Sequence, residues 1–235
     1  MKILAMDSSA IVASVALCED DKVLAEYTVN NGNTHSETLL PMVENILSAF
    51  SLSPSDIDIF AVSEGPGSFT GVRIGVATVK GLAFASGKPC IGVSTLEALA
   101  YNLRMHKGII VPVMNARRSQ VYTAIFESNG EELIRLLPDS AMAISELDEL
   151  LSKYDADVCL CGDGYGISAD GFVKTQICTV PDRLRLQSGA SVASVALKKY
   201  KNEEFCSDKE LGVQYLRPSQ AERERTEREA QKIKV

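Results

Sequence analysis

Apolar residues follow two rhythms along the chain, and the switches between them mark its elements. Ile3 to Met6 and Ala13 to Cys18 are continuous apolar runs, and Val23 to Val29 alternates in part after a Glu19-Asp20-Asp21 turn. Short runs bounded by polar turns predict three strands in a meander. From Thr34 to Phe50 the spacing lengthens: Leu39, Leu40, Val43, Ile46, Leu47 and Phe50 share one helical face, and Thr34 with Glu37 reads as a capping box. Pro41 inside that pattern predicts a bend or a helix start close by. "DIDIFAVSEGPG" predicts a buried strand running into a glycine turn, 70–86 a helix, and "PCIGVSTLEALAYNL" a short strand and a helix opened by a Ser94–Glu97 box.

The second half repeats this order. "IVPVMNARRSQVYTAIFESNGEELIRLL" has a strand ending at Met114-Asn115, a polar turn, a strand from Val121 to Phe126, a Ser-Asn-Gly turn and a third strand. Met6-Asp7 holds the same place at the end of the first strand of all, which implies a duplicated unit. Further on come a helix at 143–153, a strand in "ADVCLCGDG" and a helix in "SGASVASVALKKYKN". The closing "SQAERERTEREAQKIK" has pairs such as Glu224 and Arg228 but little apolar stripe, and reads as a solvated or frayed helix. The chain thus divides into a first half at 1–106, a second, reduced half at 107–216 and a charged tail at 217–235.

Composition narrows the class. Of 235 residues, 46% are hydrophobic and 23% charged, the balance of a folded domain and not of a disordered segment. No apolar run approaches the roughly 18 residues of a membrane span, and Asp7 falls where a signal peptide carries its apolar stretch. The expectation is a cytoplasmic protein without a membrane partner. Six scattered cysteines, with one C-x-C at Cys159 and Cys161 and only two histidines, point to reduced core thiols and not to zinc. Residues 217–235 carry a net charge of +2 and residues 1–216 a net −9. So negative a body repels a nucleic-acid backbone, and RNA is expected to be met only through a partner.

Two stretches carry candidate chemistry. Asp7-Ser8-Ser9 leaves the first strand, where a carboxylate can hold Mg²⁺ through water and hydroxyls can cradle a phosphate; the same residues can equally close a polar Asx or Ser turn. In "GPGSFTG", Gly65 and Gly67 permit unusual backbone angles, and Ser68 and Thr70 open a helix whose free N–H groups suit an anion. The spacing is not that of a P-loop, since Lys80 lies too far on and Arg73 is the nearest cation. A tight turn that lets backbones pack explains the loop as well.

Along the helix that follows stand Gly71, Gly75 and Gly81, each costing up to about 1 kcal/mol relative to alanine. Close packing is the expected reason. With Ile74, Thr78, Leu82 and Ala85, and with Leu39 and Val43 of the preceding helix, they form a shallow apolar strip against a partner or within the chain itself. His35 lacks a second histidine one turn on, where Leu39 stands, so no metal-binding pair is formed. Nothing in the sequence places Ser68, His35 and Asp7 together as a triad. No catalytic and no metal-binding residue is assigned.

The segments "ILAMDSS", "NTHSETLLPMVENIL", "SEGPGSFTGVRIG", "GVSTLEALA" and "QYLRP", in that order between residues 3 and 218, resemble the TsaB family, dimerisation subunits of the bacterial system that makes threonylcarbamoyladenosine in tRNA. The resemblance implies an α/β fold of two ribonuclease-H-like, actin-like halves, each a mixed sheet flanked by helices, around a cleft. It also implies a non-catalytic role. The paralogue TsaD would carry the metal-binding histidines and transfer the threonylcarbamoyl group, TsaE would dock on the pair, and this chain would form a homodimer when alone. On this view Asp7, Ser8, Ser9, Gly65, Gly67, Ser68 and Thr70 are a vestigial phosphate site with at most weak ATP and Mg²⁺ binding. Asn115 stands where the family segment Asp-Ala-Arg has its aspartate, so the second carboxylate of an ATP cleft is missing there. Two other readings stay open: an ATP- and Mg²⁺-binding enzyme of the sugar-kinase type, and a glycoprotease-like peptidase.

Overall fold

The computed structural model describes residues 1–217; the helix expected in the charged tail lies outside the described residues. The first half runs β1 (Lys2–Asp7), β2 (Ala13–Glu19), β3 (Lys22–Val29), α1 (His35–Ala49), β4 (Ile59–Gly65), α2 (Phe69–Ser86), β5 (Cys90–Ser94) and α3 (Thr95–Tyr101). There follow β6 (Lys107–Asn115), β7 (Gln120–Asn129), β8 (Leu133–Ala143), α4 (Ile144–Leu151), β9 (Val158–Cys161), α5 (Tyr165–Ala169), β10 (Ile177–Cys178) and α6 (Gly189–Lys201).

These strands build two five-stranded sheets of one design. The first has the order β3-β2-β1-β4-β5 and the second, read from its other edge, β8-β7-β6-β9-β10. In each, the central strand is antiparallel to its hairpin partner and parallel to the strand that returns after a helix. β1 ends at Asp7 and β6 at Asn115, so the repeat read from Met6-Asp7 and Met114-Asn115 is a repeat of structure.

Alternation along the strands decides what covers each face. Leu4, Met6, Val15, Leu17, Phe60 and Val62 point to one side of the first sheet, beneath Leu39, Val43 and Ile46 of α1 and Val72, Val76 and Val79 of α2. Ile3, Ala5, Ala16, Ile59, Ala61 and Ile91 point to the other, where Val192, Val195 and Ala196 of α6 lie on them. α6 thus covers the first sheet although it falls within the 107–216 stretch. α3 packs Leu96, Leu99 and Ala100 onto Ile110, Met114 and Phe126 of the second sheet, and α4 closes the opposite face with Leu147 and Leu151.

Local signals were realised unevenly. α1 starts at His35 and runs on through exposed Pro41, which neither begins nor ends it. The Thr34–Glu37 capping box does not form: the Glu37 N–H donates to the Thr34 backbone carbonyl at 3.0 Å. The Ser94 hydroxyl does accept from Glu97 N–H, while the Glu97 carboxylate turns away to Arg135. All six cysteines are free, and burial pushes the thiol of Cys18 up to about 11 and those of Cys90 and Cys159 up to about 12. No helix among the described residues is long and apolar enough to cross a membrane.

Candidate functional site

The carboxyl ends of the central strands face a cavity of about 410 Å³ between the halves. Ser9 to Ile11 after β1, Pro66 to Thr70 after β4, Asn115 to Arg117 after β6, Asp163 after β9 and the segment Gln214 to Arg217 line it. Each half ends its returning strand in a G-x-G turn, Gly65-Pro66-Gly67 and Gly162-Asp163-Gly164. Gly65 at φ 122° and Gly162 at φ 100° occupy backbone space that L side chains rarely adopt.

The seven residues read as a phosphate site come together, and Asp7, Ser9, Gly67 and Ser68 hold one another. Asp7 is fully buried; one carboxylate oxygen accepts from the N–H and hydroxyl of Ser9 at 2.8 and 2.6 Å, and the other accepts from the Ser63 hydroxyl at 2.5 Å. Burial raises its carboxyl above the ordinary range against the pull of those hydrogen bonds. The Ser68 N–H donates to the Ser9 carbonyl at 2.6 Å, and the Ser68 hydroxyl caps α2 by accepting from Gly71 N–H. Gly67 is small because the Ser9 carbonyl oxygen would lie 2.5 Å from a β-carbon there. Of the two uses open to these residues, the tight turn is the one built. The Asp7 carboxylate and the N–H of Ser68 are engaged within the protein, which takes the buried carboxylate from a Mg²⁺ and one backbone donor from a phosphate, while Phe69 and Thr70 at the start of α2 face the cavity.

Asp163 was not singled out from the sequence. It opens onto the cleft beneath Asn115, whose N–H donates to its Oδ1 at 3.4 Å. Lost hydration raises its carboxyl, and the like charge of Asp7 adds to the rise. The signal was the recurrence of G-x-G at the end of the strand after the repeated hairpin, with aspartate in the second copy where proline stands in the first.

The expected apolar strip is divided by the structure. Leu39 and Val43 lie in the core at 1% exposure, and Gly71 and Gly75 are buried against Ser8, so these four are closed to a partner. Ile74, Thr78 and Leu82 are half-buried, whereas Gly81 and Ala85 are exposed together with Arg73, Ala77 and Phe84, the last at 73%. His35 begins α1 and its Nε2 donates to the Ala10 carbonyl at 2.6 Å. With Asp7 bound to Ser9 and Ser63 and Ser68 capping α2, no triad is formed from the three.

The final described segment supplies a wall that no local pattern foretold. Gln214 N–H donates to the Glu64 carbonyl at 2.7 Å, and Tyr215 stacks on Phe69 with centroids 4.7 Å apart. Arg73 Nε donates to the Tyr215 hydroxyl at 2.5 Å while its guanidinium lies 3.7 Å above the Phe69 ring.

Two sheets of one strand order, their central strands ending at a shared cleft, define the actin-like, ribonuclease-H-like class. A family model described as TsaD, tRNA N6-adenosine threonylcarbamoyltransferase, matches residues 22–219. The tRNA threonylcarbamoyladenosine biosynthesis protein TsaB of Bacillus subtilis (strain 168) is 38% identical over 162 residues, 69% of this chain and 71% of that protein. Its namesake in Escherichia coli (strain K12) is 40% identical over 129 residues, 54% of this chain and 55% of that protein. The structure of YeaZ from Pseudomonas aeruginosa superposes with a TM-score of 0.80 at 27% identity, covering 92% of this chain and 99% of that one. The chain belongs to the TsaB family, whose named members are proteins of tRNA threonylcarbamoyladenosine biosynthesis.

Proposed function

We propose that the chain is a non-catalytic scaffold in threonylcarbamoyladenosine formation: in the cytoplasm it pairs with the catalytic paralogue TsaD and gives TsaE its place to dock, and alone it pairs with itself. The observation that carries this reading is the filling of the cleft loop by the chain's own Asp7 turn, which spends the buried carboxylate on Ser9 and Ser63 and the Ser68 N–H on the Ser9 carbonyl. The exposed row on α2 supports the pairing. Ala77, Gly81 and Ala85 are small enough for a second helix to approach closely, and Phe84 offers that helix an apolar anchor. The net −9 of residues 1–216 argues that tRNA is engaged through the complex.

Gly81 is the position to test, because a β-carbon there meets no atom within 4 Å. Gly81→Arg and Ala85→Arg are expected to fold as the parent does and to lose co-purification with tagged TsaD. Undiminished pairing by both would overturn the assignment of this face.

A further inference from the structure

Residues Gly212–Arg217 cross the mouth of the cleft, and both halves hold them. At the base of the segment, Leu211 is buried in the first core at 3% exposure and its carbonyl accepts from Lys80 Nζ at 2.8 Å. On the first half, the carbonyl of Gln214 approaches Gly65 so closely that a β-carbon there would stand 2.3 Å from it, and Tyr215 stacks on Phe69 while its hydroxyl accepts from Arg73. On the second half, Arg217 donates to the side-chain oxygen of Gln120 and sits 5.9 Å from the centroid of Tyr122. The base is apolar and buried, whereas the tip is polar and Tyr215 is 44% exposed. Segments held by a few polar contacts open at free energies well below that of global unfolding.

We propose that Gly212–Arg217 is a latch. Seated, it fixes the separation of the two halves across the cleft; released, it lets the cleft widen. A latch has a consequence that a simple surface contact lacks. Cutting its hold on one half must loosen the other half as well, since the same short segment carries both attachments. This goes beyond the scaffold reading and does not depend on it, because the test involves no partner.

Hydrogen exchange followed by mass spectrometry on the full chain tests it. Arg217→Ala removes the attachment at Gln120 and Tyr122; it is expected to speed exchange about tenfold both there and in first-half peptides spanning 63–73, the change that loss of one charge-assisted hydrogen bond supports. Arg73→Ala is expected to do the converse, reaching peptides spanning 115–122. Tyr215→Phe, which keeps the ring and deletes only the hydroxyl, gives a smaller change on both halves and stands in if either arginine variant fails to fold. Faster exchange confined to the altered half, in the arginine variants or in Tyr215→Phe, would overturn the latch.

Discussion

Gly71 lies so close to Ser8 that a β-carbon on it would be 2.1 Å from the Ser8 carbonyl oxygen, while the Ser8 hydroxyl donates back to the Gly71 carbonyl at 2.9 Å. One turn further, a β-carbon on Gly75 would meet the Ser8 hydroxyl oxygen at 2.6 Å and Val62 at 3.1 Å. Neither neighbour is the loose end of a long side chain, so the backbone of α2 must move if either glycine gains one. Overpacking of this kind costs about 1–3 kcal/mol. Gly71→Ala and Gly75→Ala are each expected to lower the urea midpoint accordingly, and unchanged midpoints would show that the turn and the helix are not pressed together. Neither position is a clean probe of partner binding, because a loss of fold stability would be mixed with any loss of pairing.

Gly81 behaves in the opposite way. With open space around it and a helical backbone on both sides, Gly81→Ala removes the entropic penalty of glycine without a clash. It should raise stability by up to about 1 kcal/mol. Thermal unfolding of the isolated chain, diluted until it is monomeric, checks this, and a fall in midpoint under that condition would show that the space around Gly81 is filled by the chain itself.

The difference between these glycines shows where reading the sequence stops. Period alone was enough to place β1 to β4, α1 and α2, because alternation and the 3.6-residue face are local properties. The repeat of strand, turn and strand at Met6-Asp7 and Met114-Asn115 revealed the duplicated sheet. Which side of α2 each glycine takes was also within reach: Gly71 and Gly75 are one turn apart, but six residues carry Gly81 about 240° round the axis, away from them. Treating the three as one strip overlooked that rotation. The wall formed by Gln214 to Arg217 lay beyond such reasoning, since Gly65 needs its lack of a side chain for a carbonyl that arrives from the far end of the chain. Asp163 was hidden for a related reason, because its meaning depends on β9 lying beside β6.

Asp7 sets part of the pH dependence of stability. Its folded carboxyl is held above the ordinary value of 3.8, chiefly by burial, so the folded state binds that proton more tightly than the unfolded chain. Its contribution is fully present below the ordinary value and is lost as pH rises through the raised folded one. Asp7→Asn fixes a neutral group whose serine partners can reverse their hydroxyls to suit it. Urea unfolding between about pH 4 and 8 is therefore expected to show the variant gaining on the parent as pH rises. A difference that stays constant with pH would remove Asp7 from the titration.

Arg135 ties the halves together away from the cleft. It donates to Glu97 of α3 and to Asp139 on its own β8, and Asp139 in turn accepts from the Ser94 hydroxyl at 2.5 Å. Its guanidinium also lies 4.5 Å above the Phe126 ring. All three charged side chains are less than a third exposed, so solvent screens the pairs only in part. Arg135→Ala should cost about 1–3 kcal/mol, the range for a hydrogen-bonded charge that leaves its partners behind. Double-mutant analysis with Glu97→Gln measures the coupling, and simple additivity would show the pair to be idle.

The enzyme reading turns on Asp163, the one carboxylate among the described residues that opens to the cleft. An ATP-handling site needs an anionic group to organise Mg²⁺ and free N–H groups to receive phosphate oxygens. Asp163 meets the first need, but the buried Asp7 carboxylate is spent on Ser9 and Ser63, and the Ser68 and Gly71 N–H groups are spent on the Ser9 carbonyl and the Ser68 hydroxyl, which weakens the second. Calorimetric titration of the isolated chain with ATP and Mg²⁺ is therefore expected to give no binding heat. If heat appears and disappears in Asp163→Asn, the cleft holds a nucleotide through Asp163 and the scaffold reading loses the observation that carries it. Heat that survives Asp163→Asn but vanishes in Asp7→Asn would place the ion on the buried turn instead, at the cost of breaking three hydrogen bonds now seen there.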